Sequence, residues 1–116
     1  MAGWKATGPN TKIYSYTLVL SADATATELP GDFMYKGTYL LPVKYIASLD
    51  DTWTFTLQDS NGIDFLNGNG AVTDGTTGGH ISPNDRWPIT ETLYYTLTGR
   101  GSGTITLTIN VAAEAF

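Results

Sequence analysis

The chain has 116 residues, 11 acidic and 6 basic side chains, a formal net charge of −5 and no cysteine. That length suits one domain, able to bury roughly two-thirds of the surface of its unfolded chain. The missing cysteines exclude disulfides and thiolate metal sites. The scattered cations Lys5, Lys12, Lys36, Lys44, Arg86 and Arg100 argue against nucleic acid, which is gripped by clustered Lys and Arg.

Charged residues make up 15% of the chain, against about 25% in an average soluble domain. In their place stand 13 Gly, 19 Thr, 3 Trp, 7 Tyr and 4 Phe, the balance of a turn-rich β protein rather than a disordered chain. No segment approaches the ~20 apolar residues of a membrane span. Met1-Ala2-Gly3-Trp4-Lys5 lacks the apolar run of a signal peptide, so the expectation is unprocessed folding in a reducing cytoplasm.

Residues 1–11 carry Gly3, Gly8, Pro9 and Asn10 without periodicity and are expected as an N-terminal arm on a single β domain at 12–116. Trp4 has two readings: it folds back over an edge of its own sheet, or it straps onto a neighbouring subunit, as interface aromatics do. Ile13–Ser21 alternates as a first strand, with Tyr14, Tyr16, Leu18 and Leu20 on one face. Ala22–Leu29 is weakly patterned, and Leu29-Pro30-Gly31-Asp32 is a turn signal. Tyr39, Leu41, Val43, Tyr45, Ala47 and Leu49 alternate around Pro42. Because proline cannot donate to a ladder, that segment is an edge strand, a bulge, or two short strands meeting at a bend.

Thr52–Gln58 is the clearest strand, with Trp53, Phe55 and Leu57 inward and threonines outward. Asn67–Pro88 shows no sustained alternation and is expected as a long loop, a length that tends to be functional or mobile. Within it, Arg86 and Trp87 belong to residue types enriched at binding hot spots, although Trp87 can equally plug an open end of the sandwich. Leu93, Tyr95 and Leu97, then Ile105, Leu107, Ile109 and Val111, alternate with threonines on either side of Gly99-Arg100-Gly101-Ser102-Gly103. This reads as a half-exposed antiparallel hairpin. No helical stretch is apparent. The strand count predicts an all-β antiparallel sandwich, jelly-roll-like, with a small β-barrel as alternative.

Chemistry is sparse. His80 is the one histidine, no G-x-S-x-G motif supports a triad, and Asp50 and Asp51 point to opposite faces of an extended chain. The run from Asp59 to Asp64 resembles a calcium loop but has Ile63 where an oxygen ligand belongs and Asp64 where glycine belongs; a turn explains it better. No catalytic residue, metal or cofactor is expected. Surface Trp87, Tyr94, Trp4 or Tyr39 on a sandwich could stack on sugar rings, so a glycan stays open as a ligand.

One pattern resembles a known family. Asp51-Thr52-Trp53-Thr54-Phe55-Thr56-Leu57-Gln58-Asp59-Ser60-Asn61-Gly62-Ile63-Asp64-Phe65-Leu66-Asn67-Gly68 forms its first half. Trp87-Pro88-Ile89, Leu93–Gly99 and Gly103–Ile109 form its second. Together, across residues 38–111, they resemble small virion structural proteins of tailed bacteriophages. The resemblance implies a non-enzymatic capsid decoration or cement protein, made in the host bacterial cytoplasm and bound to the major capsid protein at symmetry axes as a dimer or trimer. The alternative is a carbohydrate- or receptor-binding module, or a neck or tail accessory module, of the same kind of particle. Trp4, Arg86 and Trp87 are the expected partner-binding residues; neither nucleic acid nor a membrane is expected as partner.

Overall fold

The computed structural model describes residues 4–6, 13–47, 52–72, 78–83, 87–99 and 103–113. Two antiparallel sheets face each other across one hydrophobic cluster. The first sheet has seven strands: β1 (Lys5–Ala6), β2 (Ile13–Leu20), β4 (Tyr39–Leu40), β5 (Val43–Ala47), β8 (Gly78–Ile81), β9 (Trp87–Pro88) and β11 (Ile105–Ala112). The second has four: β3 (Ala24–Glu28), β6 (Trp53–Gln58), β7 (Ala71–Val72) and β10 (Tyr94–Thr98).

β4 and β5 are halves of one interrupted strand, both paired with β11, and β8 and β9 are halves of another, paired with β5 and β4. Counting each broken strand once and setting β1 aside leaves eight strands in chain order. The first sheet then runs first–eighth–third–sixth and the second runs second–seventh–fourth–fifth. This is the jelly-roll arrangement. The sheets remain separate, so the barrel alternative does not apply.

The expected hairpin around Gly99–Gly103 is therefore not a hairpin. β10 pairs with β3 and β6 in one sheet, and β11 pairs with β2, β4 and β5 in the other. Both strands alternate because each has one face on the shared core. Alternation reports a buried face and carries no record of the partner strand. Gly99 and Gly103, at φ 71° and 88°, take the left-handed conformations that open to glycine without steric cost.

Three further expectations change. The weakly patterned Ala22–Leu29 contains β3, an edge strand whose exposed residues need no alternation. Asp32–Tyr35 forms one turn of helix, α1, entered through Gly31 at φ 74°; a single turn is too short to show a 3.6-residue period. The stretch from Asn67 to Pro88, expected as a loop, supplies β7, β8 and β9, which carry the chain from the second sheet to the first. Strands of two to four residues are below the length at which alternation registers.

At Pro42 the chain takes the third of its three expected forms, two short strands meeting at a bend. Asn110 closes the gap. Its carbonyl accepts from Leu41 N–H (3.0 Å), its side-chain amide donates to Pro42 O (3.1 Å), and its Oδ1 accepts from the Ser15 hydroxyl (2.7 Å).

The inward positions of the alternating strands form the core. Trp53, Phe55, Leu93, Leu97, Ile105, Leu107 and Ile109 are buried, while Tyr95 is half-buried and stacks on Phe55 at 6.4 Å. Outside those strands Tyr35 joins the core, with no exposed surface. Its hydroxyl donates to Leu29 O (3.0 Å) and accepts from Leu93 N–H (3.0 Å), tying the end of β3 to the start of β10. Burial, with the carboxylates of Asp32 and Glu28 adding to it, pushes the Tyr35 phenol up to about 12 from its ordinary 10.0, against the opposing hydrogen bond from Leu93.

Two predictions follow from this packing. A Cβ on Gly70 would stand 1.8 Å from the backbone oxygen of Phe55, so Gly70→Ala must push β6 aside. It is expected to lower unfolding free energy by about 2–3 kcal/mol or more, measured by urea titration. The folded protein resists ionising Tyr35 while the unfolded chain does not, so this group's stabilisation is complete below pH 10 and is lost as pH rises toward 12. The loss is on the order of 2 kcal/mol. Tyr35→Phe should be less stable at neutral pH by about 1–3 kcal/mol, because Leu93 N–H loses its acceptor. The variant should also lack that share of the alkaline destabilisation in paired urea titrations.

Candidate partner-binding surface

The seven strands of the first sheet contain no Asp or Glu, in a chain of net charge −5. Their outward side chains follow from register. One row runs Val19–Thr106–Ile46–Gly78, the next Thr17–Thr108–Lys44–His80, and beyond them Lys5 stands opposite Ser15, which stands opposite Asn110. Val19 and Ile46 are 65% and 52% exposed. They flank Thr106 from both sides, so the face carries an apolar pair in a bed of threonine. Lys5, Lys44 and His80 are exposed on the same face. The described carboxylates lie elsewhere: Glu28 in β3, and Asp23, Asp32, Asp59, Asp64 and Glu91 in connections. Among the described residues this face therefore carries two lysines and no carboxylate, on a chain of net charge −5.

Of the sequence-derived site residues, Trp4 and Trp87 stand at opposite edges of the first sheet. Trp4 is 4% exposed; its indole N–H donates to Pro30 O (2.9 Å) and its ring lies 5.3 Å from Tyr16 and 5.7 Å from Tyr35. Of its two readings, this is the fold-back onto its own sheet. It holds β1, which pairs with β2 and places Lys5 at the rim of the cationic face. Arg86 and the arm boundary at residues 11 and 12 lie outside the described residues. Trp87 begins β9, opposite Leu40. With strand order β1-β2-β11-β4-β9, β1 and β9 are four strand spacings apart, roughly 19 Å. Sequence reasoning missed Val19 and Ile46, each of which reads as one more β-branched residue in an alternating strand.

The remaining chemical features resolve into structure. Asp59 Oδ1 accepts from Asn61 and Ile63 N–H (2.9 and 3.1 Å). Asp64 accepts from Leu57 and Leu66 N–H at Oδ1 and from Gly68 N–H at Oδ2 (3.1, 3.0 and 2.9 Å). Both carboxylates thus organise turns, as Asx side chains do. Among the described residues no group of three or more His, Asp or Glu is placed to hold a metal ion. Among them, too, no helix is long and apolar enough to cross a membrane.

No family model and no curated protein matches the sequence. A solved structure described as the cyanophage Pam1 capsid asymmetric unit contains a chain of similar fold. The TM-score is 0.53 at 15% identity, covering 95% of this chain and 89% of that one. At that identity the likeness is one of fold, and it extends over nearly the whole of both chains. Jelly rolls also serve as lectin domains and cupins, so function has to be argued from surfaces.

Trp4→Ala removes a buried ring and its hydrogen bond to Pro30. A loss of about 3–5 kcal/mol in unfolding free energy is expected, measured by urea titration of the isolated chain. A change below about 1 kcal/mol would show that Trp4 contributes little to its own domain.

Proposed function

We propose that this chain is a structural protein of a tailed-bacteriophage virion, a decoration or cement protein that binds the major capsid protein and stabilises the shell. The fold likeness to a chain of a phage capsid asymmetric unit carries the reading, and the sequence resemblance across residues 38–111 supports it independently. The contact is assigned to the outer face of the first sheet, with Val19 and Ile46 at its centre and Lys44 beside them. Trp87, at the β9 edge, extends the contact, and Arg86, its neighbour in sequence, is assigned to it as well. Trp4 acts on it indirectly, by holding β1 and Lys5 at the opposite rim.

Area explains why such a protein works in many copies. Four strands at about 4.8 Å spacing and some eight residues of about 3.4 Å rise give roughly 500 Å² on one partner. The total of about 1,000 Å² is at the lower bound for a specific interface. One face alone binds weakly, so a dimer or trimer set on a symmetry axis gains by holding several shell subunits at once. The acidic remainder of the molecule discourages docking in other orientations.

Quantifying the chain in purified virions tests this role. Hundreds of copies per particle are expected, whereas a few copies would assign it to a neck or tail position. Add-back to stripped shells tests the surface. Val19→Glu with Ile46→Glu, both outward and exposed, should leave the melting temperature of the free chain nearly unchanged while cutting shell occupancy at least about tenfold. Wild-type occupancy by that variant would remove this face from the contact, and Arg86→Ala with Trp87→Ala tests the β9 edge in the same way.

A further inference from the structure

The second sheet carries on its outward side a concave site that the capsid contact leaves free. In the register of that sheet Tyr94 stands between Glu28 of β3 and Gln58 of β6. Tyr94 is half-buried and forms one wall of a cleft of about 450 Å³, whose other walls are Gln58, the turn residues Asp59, Ser60 and Asn61, and Ala26 at the lip. The volume falls within the range of small-ligand sites. A second hollow of about 240 Å³, lined by Ile63, Asp64, Phe65 and Asn67, shares Asp59 with the first.

The polar groups of the cleft are only partly used. Gln58 Oε1 accepts from the Thr56 hydroxyl (2.6 Å), and Ser60 donates to Glu91 (2.9 Å). Asp59 spends Oδ1 on two backbone N–H groups. The Gln58 amide nitrogen, the Asn61 side-chain amide, the Tyr94 hydroxyl and Asp59 Oδ2 have no partner among the described residues. Two amides, a phenol and a carboxylate oxygen around one aromatic ring offer both donors and acceptors beside an apolar surface.

Backbone geometry marks the same place. Ala26 has φ 41°, in the left-handed region that a Cβ disfavours. It sits where the β3–β10 register slips between Tyr95 and Leu97, and its N–H is held by Thr96 Oγ1 (2.9 Å). Strained non-glycine residues of this kind concentrate at ligand sites, and here the strain shapes the rim of the cleft.

We propose that the cleft over Tyr94 binds a neutral saccharide. Among the described residues no Lys, Arg or His lines it, which disfavours phosphates, nucleotides and acidic sugars. A hydroxyl-rich ring matches the alternating donors and acceptors, and its C–H face fits against the Tyr94 ring. The inference stands apart from the capsid reading, because the cleft and the Val19–Ile46 face lie on opposite sheets. A chain docked through one sheet would present the other to its surroundings.

The test is a two-dimensional amide NMR titration of the free chain with glucose, galactose, mannose and N-acetylglucosamine in turn. N-acetylneuraminic acid and tetramethylammonium serve as anionic and cationic controls. Saturable shifts confined to residues 26, 58–62 and 94 with at least one neutral sugar are expected. Tyr94→Ala should weaken that binding at least about tenfold, equivalent to about 1.4 kcal/mol, while Tyr94→Phe, which keeps the ring, retains most of it. Asn61→Ala, in an exposed turn, provides a second variant should Tyr94→Ala fail to fold, and it is expected to weaken binding about threefold or more. Absence of saturable shifts with all four sugars, or saturation by tetramethylammonium alone, would overturn the proposal. So would undiminished affinity in a folded Tyr94→Ala or Asn61→Ala variant.

Discussion

β11 is the constraint on which the structure rests. It pairs with β2 along all eight of its residues and with β4 and β5 on its other side. Ile105, Leu107, Ile109 and Val111 are buried beneath it. A strand paired on both edges has no free ladder groups, and its inward side chains are held at the centre of the core. Everything above it inherits that placement: the row Val19–Thr106–Ile46 exists because β11 registers β2 and β5 against the same residue. The one weakness in the arrangement, the break at Pro42, is closed by β11's own Asn110.

The second sheet answers to a different tie. Tyr35 reaches from the helical turn to the ends of both β3 and β10, and its two hydrogen bonds are made where water cannot compete. Trp4 packs on the same ring, so the N-terminal strand of the first sheet and the edge of the second meet over one phenol. The outward features of the second sheet, including the bulge at Ala26 and the cleft over Tyr94, hang from that corner.

The two outer faces differ in chemistry because carboxylates are excluded from the strands of the first sheet and gathered in the connections. An acidic chain thereby presents one face that is neutral to cationic. That distribution makes the two outer faces chemically distinct: the first bears Val19, Ile46 and Lys44 in a bed of threonine, and the second bears the cleft beside Tyr94.

Composition and period established a good deal without coordinates. The all-β class, the inward sets Trp53–Phe55–Leu57 and Ile105–Leu107–Ile109, the irregularity at Pro42 and the turn role of Asp59 are all consequences of local sterics and of a two-residue repeat, which act within a few residues. The pairing of those strands was decided only in three dimensions. Leu93–Leu97 and Ile105–Val111 look like a hairpin in one dimension and are partners across the core in three, because alternation records which face is dry and not which neighbour supplies the hydrogen bonds. The same limit hid the first surface and left Tyr94 as one of four aromatics with no place assigned. Val19 and Ile46 acquire meaning only when register sets them on either side of Thr106, and Tyr94 only when Gln58 and the turn at Asp59–Asn61 are folded beside it.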